Sequence, residues 1–223
     1  MMNMLNQSIQ SAIFDLDGVI VDTAKYHYLA WKRLAAEFNI NLTHEDNEKL
    51  KGVSRMDSLD IILAMNKITL SQQEKEKLAD KKNNWFMEYV NQMSPDEILP
   101  GAKELLIALR EKGIKISLGS SSKNAKTVLR LLNIEHLFDA IADGTMITKS
   151  KPDPEIFFIA ADLLQTKPAH CVVFEDAEAG VDAALSAGMF CVGIGAPTSL
   201  YKAHQVVATL ENFEFKLNAV QPA

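Results

Sequence analysis

Short apolar runs that each close on an acid or a turn residue recur along this chain and limit the folds open to it. They are the sequences SAIFD, KISLGS, DAIAD, CVVFED and FCVGIG. Val, Ile and Phe are common in them and polar residues do not alternate with apolar ones, as is typical of strands buried on both faces of a parallel sheet. Helical patterns separate these runs, at 102–112, 124–132, 154–164 and 178–187. This alternation predicts βαβ units and a mostly parallel sheet.

Two glycines support the predicted helix ends. Gly113 and Gly188 directly follow two of the helical patterns. Because a helix commonly ends at a left-handed residue, most often glycine, we expect both to have positive φ angles.

One long segment interrupts the alternation. From about Ala24 to Ser94 the chain shows helical periodicity and no strand pattern, with periodic stretches that include Met56–Met65 and Ser71–Asn91. We therefore predict a helical domain over 24–94, inserted after the first strand of an α/β domain formed by 1–23 and 95–223. The joints would lie near Thr23 and Pro95–Pro100.

Composition and charge exclude several classes of protein. Hydrophobic residues make up 48% of the chain and charged ones 23%, which is a globular balance and excludes a disordered or collagen-like chain. The formal net charge of −6 argues against a nucleic-acid partner. We find neither a secretory signal pattern nor an apolar stretch of about 18 residues, so we expect a cytoplasmic protein with no membrane contact. Nothing demands more than a monomer, which is the state we expect.

The two cysteines indicate no special chemistry. Cys171 and Cys191 lie in apolar stretches without a His or another Cys at ligand spacing. We interpret them as buried free thiols rather than as a disulfide or a metal pair.

The motif with most chemical content is Asp15-Leu16-Asp17-Gly18, which directly follows the first predicted strand. Ligands of open α/β sheets bind beyond the carboxyl ends of strands. An Asp-x-Asp-Gly sequence can also be a simple turn, because Asp and Gly are common turn residues. The motif alone therefore leaves both interpretations open.

Three further polar groups lie near other predicted element ends. Ser120–Ser122 follow the second strand, Lys151 precedes a helix, and Glu175-Asp176 follow another strand. Each has a structural alternative, as a helix N-cap cluster, a surface lysine and a first-turn acid pair respectively. All of them in this order, with the first motif, favour one shared site.

Phosphoryl transfer explains that combination. Carboxylates from two strand ends supply the hard oxygen ligands that Mg²⁺ prefers. A carboxylate nucleophile needs cations and hydroxyl or backbone donors to neutralise the phosphoryl oxygens. A second carboxyl group two residues further on can give and take the proton.

These motifs resemble, in the same order, the four motifs of the haloacid dehalogenase superfamily, and the helical insert is similar to its small cap domain. The likeness covers nearly the whole chain after the first ten residues. It is most specific in the insert, where LKGVSR (50–55) and LADKKNNW (78–85) resemble the sugar phosphomutases of that superfamily. It implies an α/β fold with a Rossmann-like three-layer core, a parallel sheet and an inserted helical cap.

For the α/β domain the resemblance implies a Mg²⁺-dependent site. Asp15 would be the nucleophile that becomes an aspartyl phosphate, and Asp17 the general acid and base. The metal would be held by Asp15, the backbone carbonyl of Asp17, Glu175 and Asp176. The transferring phosphoryl group would be held by Ser120 and Lys151, with Ser121 and Ser122 beside them.

For the cap the resemblance implies a sugar-phosphate site. The far phosphate would be bound by Arg55, Lys123 and Asn124. The sugar would be lined by Lys51, Gly52, Val53, Ser54 and Ser58. Until the cap closes, Asp17 would be held back by Thr23, His27 and Lys82. Trp31 shares a helix face with Thr23 and His27 by its spacing, and we interpret it as packing at the substrate site.

The implied activity is an isomerase that moves a phosphoryl group between C1 and C6 of glucose. β-Glucose 1-phosphate and glucose 6-phosphate would interconvert through glucose 1,6-bisphosphate. A sugar-phosphate phosphatase is the alternative, and a binding protein without chemistry is a third hypothesis, which the complete set of reactive residues disfavours. A mutase needs a second cationic site and must keep water from the aspartyl phosphate. Arg55, Lys51 and Lys82 supply such a site and favour the mutase.

Overall fold

Six parallel strands form the central sheet of a computed structural model, which describes residues 9–50, 53–211 and 213. The strands are β1 (Ser11–Phe14), β2 (Lys115–Gly119), β3 (Ala140–Ala142), β4 (Cys171–Glu175), β5 (Phe190–Ile194) and β6 (Gln205–Val207). Their order is β3-β2-β1-β4-β5-β6, and neighbouring strands pair in parallel. The predicted α/β fold and its five strands are confirmed.

Strand β1 lies at the point where the chain changes direction across the sheet. Phe14, its last residue, is in register with Leu118 of β2 and with Phe174 of β4. Strands β2 and β3 extend the sheet on one side, and β4, β5 and β6 extend it on the other. Residues that follow β1, β2 and β4 therefore meet at one edge, where open α/β sheets bind ligands.

Eight α-helices accompany the sheet in the described part of the chain. Five lie between β1 and β2: α1 (Ala24–Ala36), α2 (His44–Glu48), α3 (Arg55–Met65), α4 (Gln72–Val90) and α5 (Ala102–Glu111). The other three connect the later strands: α6 (Ala125–Leu131), α7 (Glu155–Leu163) and α8 (Glu178–Ser186). No strand occurs in the described residues of 24–94, as the sequence predicts.

The helical segment has an apolar cluster of its own. Leu34 of α1, Leu59 and Ile62 of α3, and Ala79 of α4 are buried together in it. The chain segments that enter and leave this helical segment are hydrogen-bonded to each other, because the Leu99 amide donates to the Ile20 carbonyl at 2.9 Å. The division into a core and a cap domain remains a prediction.

The sequence analysis missed two short elements, α2 and β6. Helix α2 has the sequence HEDNE, without apolar periodicity, and depends on a capping box in which Thr43 and Asp46 bond each other's backbone. Strand β6 is three partly exposed residues long. Neither element is long enough to produce a periodic apolar signal.

Other sequence expectations are confirmed. Gly113 and Gly188 have φ angles of 72° and 71°. Cys171 and Cys191 are buried and free, and burial raises the pKa of both thiols. Among the helices that the structure describes, none has the length and apolar character needed to cross a membrane.

Candidate active site

Lys151 forms the centre of a buried charge cluster at the carboxyl edge of the sheet. Its ammonium lies 2.6 Å from Oδ1 of Asp15, just after β1, and 2.8 Å from Oε2 of Glu175, at the end of β4. The lysine is 2% exposed, so it is not a surface residue. Burial disfavours the charged form and so lowers the pKa of Lys151, but the two carboxylates raise it by more, and the net shift is upward. It is a permanent cation beside Asp15.

Three carboxylates converge at the same point. Asp15, Glu175 and Asp176 each offer an oxygen within 4.8 Å of the other two. Neither Glu175 nor Asp176 belongs to α8, which begins at Glu178, so they are not a first-turn acid pair. Hard carboxylate oxygens at this separation fit a divalent ion such as Mg²⁺.

Two glycines make room for these carboxylates. A Cβ at Gly18 would lie 2.0 Å from Oδ2 of Asp176, and one at Gly180 would lie 2.0 Å from the carboxyl carbon of Glu175. Gly18 also has a φ angle of 74°, which L-residues with side chains rarely adopt. Glycine is therefore needed at 18 both to turn the chain after Asp17 and to admit Asp176.

Asp17 has different surroundings from Asp15. Its Oδ1 accepts a hydrogen bond from the hydroxyl of Thr23, the residue before α1. Burial, and then the charge of Asp15, raise the pKa of Asp17 to about 8, although Lys151 opposes this. Asp17 therefore holds a proton near neutral pH, as a general acid must. Its carboxyl group lies outside the three-carboxylate cluster of the described residues.

The loop after β2 brings small polar groups to the same edge. Ser120 is buried, and its hydroxyl oxygen accepts a hydrogen bond from the backbone amide of Ser122 at 3.2 Å. In the same way, the Ser122 hydroxyl oxygen accepts a hydrogen bond from the backbone amide of Asn124 at 3.2 Å. Asn124, not a serine, occupies the position before α6, so the serines are not its N-cap. The loop also lines the cleft with Ser121 and Lys123.

Lys82 and His27 form a second buried pair on the helical side. The Lys82 ammonium lies 2.6 Å from Nδ1 of His27, and it lies over the rings of Trp31 and Phe86 at 4.5 and 4.9 Å. Burial, and then the charge of Arg55, lower the pKa of Lys82. Burial, and then the charges of Lys82 and Arg55, lower the pKa of His27. Trp31 is buried and contributes packing, as expected.

A cleft of about 1070 Å³ joins the two groups of residues. Asp15, Asp17 and Asp176 line it on the sheet side, together with Ser120–Asn124. On the helical side it is lined by His27, Trp31, Val53, Ser54, Arg55, Ser58 and Lys82. Arg55 lies 3.9 Å from the exposed carboxylate of Asp80, a distance that leaves its donors available. Lys51 and Gly52 lie outside the described residues.

Sequence reasoning missed the contacts that join the two sides of the cleft. The Asn124 side chain donates to Oδ1 of Asn83 at 2.7 Å, and the Ser150 hydroxyl donates to Oδ2 of Asp57 at 3.2 Å. Asn83 follows Lys82 in the LADKKNNW stretch, and Ser150 precedes Lys151. Their position beside predicted site residues is the signal that could have identified them.

Comparison with known proteins gives consistent results. Residues 9–188 match the model of the haloacid dehalogenase-like hydrolase family. The chain is 44% identical over 211 residues to the β-phosphoglucomutase of Bacillus subtilis, covering 94% of this chain and 93% of that protein. It is 32% identical over 184 residues to a phosphorylated carbohydrates phosphatase of Thermotoga maritima, covering 81% and 82% respectively. A crystal structure of β-phosphoglucomutase from Clostridium difficile matches with a TM-score of 0.91 and 45% identity, over 93% of this chain and 94% of the other.

Proposed function

Because this chain belongs to the haloacid dehalogenase-like hydrolase family, we propose that it is a phosphomutase of β-glucose phosphates. It interconverts β-glucose 1-phosphate and glucose 6-phosphate through β-glucose 1,6-bisphosphate. The observation that carries the proposal is the cleft, which has Asp15 at its sheet side and the separate cation Arg55 at its helical side. The near full-length similarity to two β-phosphoglucomutases supports the same reaction.

Asp15 is the nucleophile in this proposal. One of its carboxylate oxygens attacks a phosphorus of the bound bisphosphate, the P–O bond to the sugar breaks, and an aspartyl phosphate and a glucose monophosphate form. Lys151, already 2.6 Å from Asp15, balances charge on the transferring phosphoryl oxygens, and the Ser120 hydroxyl donates to them.

Asp17 is the general acid and base in this proposal. It holds a proton near neutral pH because of its raised pKa of about 8, and it gives this proton to the departing sugar oxygen. In the second half-reaction the carboxylate removes a proton from the attacking sugar hydroxyl, which takes the phosphoryl group from Asp15. The Thr23 hydroxyl bonded to Asp17 restrains it until the substrate is bound.

Mg²⁺ is the cofactor that fits the site. Asp15, Glu175 and Asp176 would hold it through their clustered carboxylates, with the carbonyl of Asp17 as a further ligand. When bound, the ion offsets negative charge between the Asp15 carboxylate and the phosphoryl group.

The cations on the helical side hold the phosphate that is not reacting. The guanidinium of Arg55 suits a phosphate because its planar fork donates two parallel hydrogen bonds. Asn124 and Lys123 line the cleft nearby on the sheet side. The bisphosphate must present each phosphate to Asp15 in turn, so a second binding site serves both half-reactions. Contacts across the cleft such as Asn83–Asn124 would help to keep water from the aspartyl phosphate when the substrate is bound.

A coupled assay tests the proposal. The enzyme is given β- or α-glucose 1-phosphate, with and without glucose 1,6-bisphosphate, and both glucose 6-phosphate and inorganic phosphate are measured. We expect glucose 6-phosphate from the β anomer, stimulation by the bisphosphate and little inorganic phosphate. Stoichiometric release of inorganic phosphate would instead establish the phosphatase alternative.

A further inference from the structure

Helix α2 turns a polar side chain into the protein. In its sequence HEDNE, the buried residue is Asn47, which is 7% exposed. The nearest buried residues before and after the helix, Leu42 and Leu50, are apolar. A helix ordinarily buries its apolar positions, and a buried polar side chain ordinarily has a hydrogen-bond partner. The inward position of Asn47 therefore requires an explanation.

The Asn47 side chain has no such partner within the described chain. Its backbone is satisfied, because its amide donates to the Thr43 carbonyl at 3.2 Å and its carbonyl accepts the Leu50 amide at 3.0 Å. Its carboxamide bonds no residue that the structure describes. No buried side-chain nitrogen or oxygen in the described residues is both sealed off and unpaired. The carboxamide therefore reaches open space, and Asn47 lines the cleft.

Ser58 on α3, the next helix along the chain, shares these properties. It is 3% exposed and lines the same cleft. Its amide donates to the Ser54 carbonyl at 2.9 Å, whereas its hydroxyl bonds no described residue. Two consecutive helices thus present neutral donor and acceptor groups to the same cleft. Neutral groups that both donate and accept complement hydroxyl groups, while phosphates favour the cations of the cleft.

We propose that Asn47 is a specificity-determining residue that hydrogen-bonds a ring hydroxyl of the bound sugar. The inference rests on the proposed function, and it concerns the sugar rather than the phosphoryl chemistry. A site with a buried polar group rejects a substrate that lacks the matching hydroxyl, because the group is then left without a partner. Asn47 would in this way select among sugar phosphates that carry the same phosphate groups.

An isosteric variant separates this role from a structural one. Asn47→Leu keeps the side-chain size and removes the hydrogen-bonding groups. Because the carboxamide bonds none of the residues that the structure describes, we expect the thermal midpoint to stay the same or rise. We expect kcat/KM for β-glucose 1-phosphate to fall roughly threefold to tenfold, the effect of one neutral hydrogen bond. Asn84→Leu, at an exposed position of α4 outside the cleft, is the matched control and should change neither quantity.

The substrate panel is β-glucose 1-phosphate and its 2-, 3- and 4-deoxy analogues. We expect the Asn47→Leu loss to disappear for one analogue, the one that lacks the hydroxyl bound by Asn47, and to persist for the other two. An equal loss on all four substrates, no loss on any, or a lowered thermal midpoint would overturn the inference.

The same experiment keeps the two proposals apart. Wild-type conversion of β-glucose 1-phosphate tests the proposed function and does not depend on Asn47. If that conversion fails, binding of glucose 6-phosphate and its deoxy analogues by calorimetry replaces the rates. Selective weakening by Asn47→Leu would still support recognition of a hydroxyl, and uniform affinities would overturn it.

Discussion

The Lys82 ammonium and Nδ1 of His27 are 2.6 Å apart on the helical side of the cleft. When Lys82 is an ammonium, which has donors only, Nδ1 is the acceptor and the imidazole proton is on Nε2. The His27 ring also stacks on Phe86, with 4.0 Å between ring centroids. The protein thereby holds a neutral imidazole in a buried position one helical turn beyond Thr23, the residue that bonds Asp17.

This arrangement predicts a pH dependence of stability. Burial and the nearby cations lower the pKa of His27 below its ordinary value of 6.5. Below about pH 6.5 the unfolded chain binds a proton that the folded protein resists, so stability falls as the pH falls. We expect His27 to make the free energy of unfolding lower at pH 5.5 than at pH 7.5.

Urea unfolding of His27→Phe at both pH values measures this contribution. The variant should lose less stability between pH 7.5 and pH 5.5 than the wild type does. The exposed His136 offers a control, and His136→Gln should behave as the wild type. The assignment fails if His27→Phe and the wild type show the same pH dependence.

Asp15→Asn should abolish turnover without unfolding the protein. The amide has nearly the same shape as the carboxylate but cannot accept a phosphoryl group. After acid quench from a phosphodonor, mass spectrometry should find phosphate on Asp15 of the wild type and none on the variant. Asp162→Asn, at an exposed position of α7, should retain full labelling. Phosphate on a serine or a histidine would refute the nucleophile.

Asp176→Ala should abolish Mg²⁺-dependent activity, because it removes one of three carboxylates clustered within 4.8 Å. Titration of Mg²⁺ by calorimetry should show binding to the wild type and a large loss of affinity in the variant. Asp96 is exposed and does not belong to the carboxylate cluster, so Asp96→Ala should bind Mg²⁺ as the wild type does. Undiminished wild-type activity in excess chelator would count against the metal site.

Arg55→Ala should separate sugar phosphates from small phosphodonors. A charged contact that is desolvated in the closed cleft typically contributes about 2–5 kcal/mol, so conversion of β-glucose 1-phosphate should fall tens- to thousands-fold. Phosphorylation of Asp15 by acetyl phosphate, which has no second phosphate, should change far less. Arg130→Ala, on the exposed face of α6, is the control. Equal losses with both donors would mean that Arg55 has a structural role.

Most of the fold follows from local signals in the sequence. Strands such as Cys171–Glu175 are buried along their whole length, so their apolar runs are unbroken. Gly113 has the left-handed conformation that its place after a helix predicts. The short helix His44–Glu48 gave no such signal, because its stability depends on a capping box and not on an apolar face.

The candidate site is less evenly predictable. The rule that ligands bind at the carboxyl ends of strands is enough to place Asp15 and Glu175 at one edge of the sheet. In the structure both carboxylates form ion pairs with Lys151 there. The burial of Lys82 beside His27 depends on packing between α1 and α4, which spacing within one helix cannot give. The inward turn of Asn47 is likewise a tertiary effect, since nothing in the sequence HEDNE marks which residue faces the cleft.

The fate of the phosphoryl group on Asp15 is the most direct test of the mutase account. Protein labelled on Asp15 with radioactive acetyl phosphate is freed of donor and mixed with β-glucose 1-phosphate in a rapid-quench instrument. We predict that the label passes to glucose 1,6-bisphosphate and then to glucose 6-phosphate, faster than inorganic phosphate forms. Label that appears directly as inorganic phosphate, with no labelled bisphosphate at any time, would contradict the account.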